Sequence, residues 1–118
     1  LAWTLALQKR AARVGFDYSD AERSAEGIAE GARELAAAGN PEEVFREFGD
    51  LLFSLVALAR KQKVNPEDAL RAAGERFADR FKRMESTLAN RGVGFRDLDE
   101  AELERLWGET KSVASQER

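Results

Sequence analysis

The sequence predicts an all-α protein: a bundle of about five helices forming one domain over residues 1–118. Three observations predict it. Apolar residues recur at helical spacing, and no stretch alternates as a strand would. Two Asn-Pro-acid segments, at Asn40-Pro41 and Asn65-Pro66, are helix starts. A composition of 43% hydrophobic and 35% charged residues suits amphipathic helices around a core and excludes a disordered chain.

The first helix is expected from about Trp3 to Arg13. The second runs from about Asp20 to Ala38, with caps available between Asp17 and Asp20. The third runs from Pro41 to about Gln62, opened by Asn40 at the N-cap and Glu43 three residues on, a capping-box pattern. The fourth runs from Pro66 to about Asn90, and the fifth from about Glu100 to Ser112 with Asp99 as cap. Gly39 and Gly92 sit where helices should stop. On the third helix Val44, Phe48, Leu51, Leu55, Leu58 and Ala59 form an apolar arc, with Phe45 and Leu52 beside it. That arc is too broad for one partner helix, so a symmetric dimer burying residues of the third and fourth helices is expected. Trp3 and Trp107 are expected to pack in the core or at a dimer contact.

Charge and residue usage narrow the chemistry. There are 22 acidic and 19 basic residues, a formal net charge of −3 with no basic surplus for nucleic acid. No apolar run approaches the ~20 residues needed to span a bilayer. Cysteine and histidine are both absent, so neither a Cys/His zinc site nor a Ser-His-Asp triad can be built. A bound metal would need oxygen ligands, which points to Mg2+, with Mn2+ possible. The lack of cysteine fits a cytoplasmic protein. The opening Leu1-Ala2-Trp3 lacks an initiator Met and reads as part of a longer chain.

The second and third helices, joined by a short turn at Gly39-Asn40, should pack antiparallel. Glu34 would then look across at Glu47 and Asp50, and carboxylates converging there repel unless a cation lies between them. The competing reading is a solvated face stapled by pairs one turn apart.

Glu47-Phe48-Gly49-Asp50-Leu51-Leu52-Phe53, followed by Val56-Ala57-Leu58-Ala59-Arg60, resembles the signature of the MazG family of nucleoside triphosphate pyrophosphohydrolases. Ala11 to Tyr18, Asn65 to Leu70, Arg76 to Phe81, the Asn90-Arg91-Gly92 turn and Leu106-Trp107 are similar to further family segments in the same order. The resemblance best suits the C-terminal domain of two-domain members. It implies an all-α homodimer that hydrolyses (d)NTPs to (d)NMPs and pyrophosphate with magnesium. It also implies Glu34, Glu47 and Asp50 as metal ligands and Glu30 as the non-liganding first Glu of the motif, placed to orient water. Lys9, Arg76 and Arg80 would face phosphates, and Tyr18 would offer an aromatic face to the base.

Gly31 stands where the family keeps a ligand Glu, Gly27 where a Lys is usual and Gly74 where an Asn is usual. Gly27 and Gly31 share a helix face, so close helix approach and decay of a metal position are both readings of them. The expectation is slow or absent hydrolysis, with a catalytically impaired dimerisation or scaffold domain as the alternative.

Overall fold

Five α-helices and one 3₁₀ turn carry the chain: α1 (Ala2–Arg13), α2 (Ala25–Ala37), α3 (Pro41–Lys61), α4 (Pro66–Arg91), the turn Phe95–Asp97, and α5 (Glu100–Gln116). The computed structural model describes residues 1–17, 20 and 23–116, with side chains described through residue 111. No strand occurs among the described residues. The expected helix order is therefore observed, with one boundary corrected. Helix α2 starts at Ala25, because Ser24 takes the cap: its hydroxyl accepts from the Gly27 N–H at 3.0 Å. Asp17 and Asp20, expected to cap it, are instead held by Arg23.

The other starts follow local chemistry. The Asn40 carboxamide accepts from the Glu43 N–H at 2.9 Å, while the Glu43 carboxylate accepts from Gly39 rather than from Asn40 itself. Asn65 accepts from the N–H groups of Glu67 and Asp68. Asp99 and Glu102 bond reciprocally, a complete capping box on α5.

Three helix ends share one hydrogen-bond pattern, in which a residue at positive φ reverses the chain and two N–H groups cover the last carbonyls. After α1 it uses Gly15 at φ 91, with Phe16 N–H bonding Ala11. After α4 it uses Gly92 at φ 69, with Val93 N–H bonding Leu88. After α3 the same position is Lys63 at φ 60, with Val64 N–H bonding the Ala59 carbonyl. The expected stop at Gly39 lacks this geometry; Ala38 ends α2 in an extended conformation.

The chain divides into two compact units, Leu1–Ala69 and Leu70–Arg118. In the first, α1 and α2 both pack on α3, and Leu5, Gln8, Val56 and Ala57 are buried. In the second, Met84, Leu88 and Leu106 form a buried cluster surrounded by Val93, Phe95, Leu98, Leu103 and Trp107. The apolar arc expected on α3 is only partly covered: Val44, Phe45, Phe48, Leu52 and Leu55 are exposed, Phe45 at 85%. Trp3 is 76% exposed, so it is not a core residue.

Candidate functional site

The seam between α2 and α3 is set by a close approach at Gly31. A Cβ built there would lie 3.3 Å from the Leu51 Cδ1 atom. Position 31 therefore faces α3 directly, on the same edge as Glu47 and Asp50. In antiparallel helices, one turn from this contact in each direction brings Glu34 level with Glu47. Glu47 is half-buried, whereas Glu30, Glu34 and Asp50 are exposed.

The seam lines up these acids without gathering them. No group of three or more acidic side chains among the described residues is placed to hold a metal ion. Glu34, Glu47 and Asp50 thus form no ready-made cage in the absence of an ion. Three carboxylates with no cation between them repel, and exposed side chains separate at little cost. Glu30 turns to Arg33, whose Nη2 donates to it at 2.9 Å, one turn apart on α2. Glu47 lies 3.8 Å from the adjacent Arg46 guanidinium. The donor chemistry still suits a hard divalent ion, since the seam offers only carboxylate oxygens and open space for water.

Lys9 is exposed on α1 and lines a cleft with Leu5, Arg60, Lys63, Val64 and Asn65. Arg60 lies ten residues beyond Asp50 on α3, about 15 Å at the helical rise of ~1.5 Å per residue. Lys9 therefore meets α3 near its far end, away from the acidic seam. Tyr18 lies outside the described residues.

Arg76 and Arg80 belong to the second unit. Arg76 is exposed and forms no ion pair among the described residues. Arg80 is half-buried: its guanidinium lies 3.6 Å from the Trp107 ring centroid, and it donates to the Trp107 carbonyl at 2.9 Å and the Thr110 hydroxyl at 3.1 Å. Those contacts fix the planar fork and stack its face on the indole. Trp107 also packs on Phe77 at 5.2 Å, so the expectation that it packs holds. At Gly74 a Cβ would meet nothing within 4 Å, so packing does not require glycine there.

A polar network that the sequence did not reveal braces the first unit. Gln8, only 5% exposed, donates to the Phe53 carbonyl and accepts from the Arg60 guanidinium at 3.0 Å. Arg60 also bonds Asp17, which pairs with Arg23. Arg23 in turn holds the Asp20 carboxyl below its ordinary pKa, by hydrogen bond first and charge second, and Asp20 raises that of Arg23. The one available signal was a Gln on the otherwise apolar side of α1, facing an Arg on the buried side of α3.

A family model described as phosphoribosyl-ATP pyrophosphohydrolase matches residues 4–77, which contain the whole acidic seam. The chain is 43% identical over 105 residues to the nucleoside triphosphate pyrophosphohydrolase/pyrophosphatase MazG of Thermotoga maritima, covering 89% of this chain and 41% of that protein. It is 34% identical over 110 residues to the nucleoside triphosphate pyrophosphohydrolase of Escherichia coli K12, covering 89% of this chain and 42% of that protein. The chain thus spans about two fifths of the length of these relatives.

Proposed function

The chain belongs to the phosphoribosyl-ATP pyrophosphohydrolase family and is of the MazG kind, and from that premise we propose that it hydrolyses (d)NTPs to (d)NMPs and pyrophosphate in a magnesium-dependent reaction. The observation that supports the reading is the α2–α3 seam, where the Gly31 contact with Leu51 is consistent with Glu34 level with Glu47 and Asp50 about one turn on. Glu34, Glu47 and Asp50 would hold the ion, together with water and substrate phosphates. Bound magnesium supplies polarisation of a phosphoryl oxygen and neutralises charge. Glu30, released from Arg33, would orient the attacking water. Arg80, fixed by Trp107 and Thr110, and Arg76 would neutralise phosphate charge, and Tyr18 would face the base.

The working form in this proposal is a homodimer in the cytoplasm. Phe45, Phe48, Leu52 and Leu55 form an exposed apolar face on the element that carries Glu47 and Asp50, and a second copy would cover it. No helix among the described residues is long and apolar enough to cross a membrane. The acidic balance of the chain, net charge −3, favours a nucleotide substrate over a nucleic-acid partner.

Position 31 lowers the expected rate. A Glu there would point along the seam, and its Cβ would displace only the tip of Leu51. Gly31→Glu should also gain helix propensity, up to ~1 kcal/mol. The test is initial pyrophosphate release from a panel of NTPs and dNTPs, with and without magnesium. Gly31→Glu should raise the magnesium-dependent rate at least ~10-fold, or ~1.4 kcal/mol in barrier. Asp50→Ala should lower the rate of the Gly31→Glu protein by ~10²–10³. A parent already fully active would refute the impairment. One observation favours a second reading, an impaired dimerisation or scaffold domain: the apolar face of α3 stands open. Equal and negligible rates in the parent and Gly31→Glu would establish that reading.

A further inference from the structure

The far end of α3 carries a group of cations that the acidic seam does not use. Lys9 from α1, Arg60 from the last turn of α3 and Lys63 just beyond it line one cleft of about 410 Å³, together with Leu5, Val64 and Asn65. We propose that this cleft is a phosphate-binding site, separate from the acidic seam and independent of the reaction at that seam.

Cations near a helix C-terminus commonly serve the helix dipole and its last carbonyls. In α3 that work is already done by the backbone. The Leu58, Ala59 and Arg60 carbonyls accept from the N–H groups of Gln62, Val64 and Lys63, respectively. The Lys9 and Lys63 ammonium groups form no ion pair among the described residues.

Lys63 is the second observation. The same chain-reversing position after α1 and α4 is glycine, which adopts positive φ without steric cost. After α3 it is a lysine at φ 60. A non-glycine residue held there is strained, and such outliers concentrate at functional sites. The strain fixes where the lysine stem leaves the backbone, beside Arg60.

Arg60 is preset as well. Gln8 and Asp17 hold its Nε and Nη2, which leaves Nη1 uncommitted among the described residues. Asp17 pairs with Arg60, whereas Lys9 and Lys63 of the lining form no ion pair among the described residues. A cleft lined by one guanidinium and two ammonium groups suits a multiply charged oxyanion with several acceptor oxygens. The lining offers aliphatic side chains and no aromatic ring, so it recognises phosphate rather than a base.

The experiment is calorimetric titration of the chain with inorganic pyrophosphate after divalent cations are stripped on a chelating resin. Binding is expected, and Asp50→Ala should retain it because the acidic seam takes no part. Lys63→Gly should weaken it about tenfold, the scale of one charge-assisted hydrogen bond. Its melting temperature should not fall, since glycine relieves the positive φ. Lys9→Gln should weaken it similarly, and Arg60 is left in place because it braces the fold. A parallel titration with a non-hydrolysable nucleoside triphosphate identifies the source of the phosphate. Equal affinity assigns the site to the free anion, and tighter binding of the analogue assigns it to a nucleotide tail. No pyrophosphate binding at millimolar concentration would overturn the proposal, as would an affinity that neither Lys63→Gly nor Lys9→Gln alters.

Discussion

The two units of this chain bury their large apolar side chains to different extents. The second gathers a cluster in which Met84, Leu88 and Leu106 are at most 5% exposed, although Leu70 and Phe77 of α4 stay 59% and 58% exposed. The first buries Val56 and Ala57 against α1 but leaves Phe45, Phe48 and Leu55 of the same helix open to solvent. A contiguous exposed apolar face of this kind marks an interaction surface. The first unit also carries the acidic seam, so completing its core and shaping its candidate site fall to one helix.

The contrast breaks most visibly if the open face is made polar. Phe45→Glu with Phe48→Glu should convert the expected dimer to monomer at micromolar concentration. Removing two large aromatic anchors from an interface commonly weakens association by ~10² or more. Sedimentation velocity on the parent and the double variant checks this. A parent that sediments as a compact monomer would show that no second copy covers the face.

The second unit should respond differently. Leu88→Ala leaves a cavity in a packed cluster and should cost ~2–5 kcal/mol locally. Amide exchange should then accelerate in α4 and α5, at a rate independent of protein concentration. If the acceleration disappears on raising the concentration, the second unit also depends on association, and the contrast fails.

The sequence foretold the features governed by neighbours in the chain. Asn40, Asn65 and Asp99 cap their helices because each needs only N–H groups two or three residues away. Gly92 ends α4 because only its own φ is at stake. The family signature from Glu47 to Phe53 was equally plain. Features that depend on distant partners were hidden. The start of α2 differs from expectation because Arg23 and Arg60 claim the acids that could have capped it. Lys63 reads as an ordinary solvated lysine until its backbone angle is known. The side-chain placement of Glu34, Glu47 and Asp50 is illegible for another reason: on an exposed seam it depends on the charge between the carboxylates, which spacing does not encode.

The smallest predicted effect sharpens the contrast between an aliphatic and aromatic second unit and a charge-braced first one. Asp20 is fully exposed, and its hydrogen bond and ion pair with Arg23 lower its pKa from 3.8. A carboxyl whose folded pKa is depressed binds its proton more readily when unfolded. Its contribution to stability is therefore complete above the ordinary value of 3.8 and is lost as pH falls through the lower folded value. Asp20→Asn should melt slightly below the parent at neutral pH, and the gap should close as the solution is acidified below that window. Arg23 stays charged throughout and Asp17 pairs with it from the other side, so the loop would remain partly braced in the variant. Parallel thermal melts of the two proteins across the acid range measure the gap. If it persists unchanged into strong acid, Asp20 acts through its hydrogen-bond geometry, and the charge-based account of this loop is wrong.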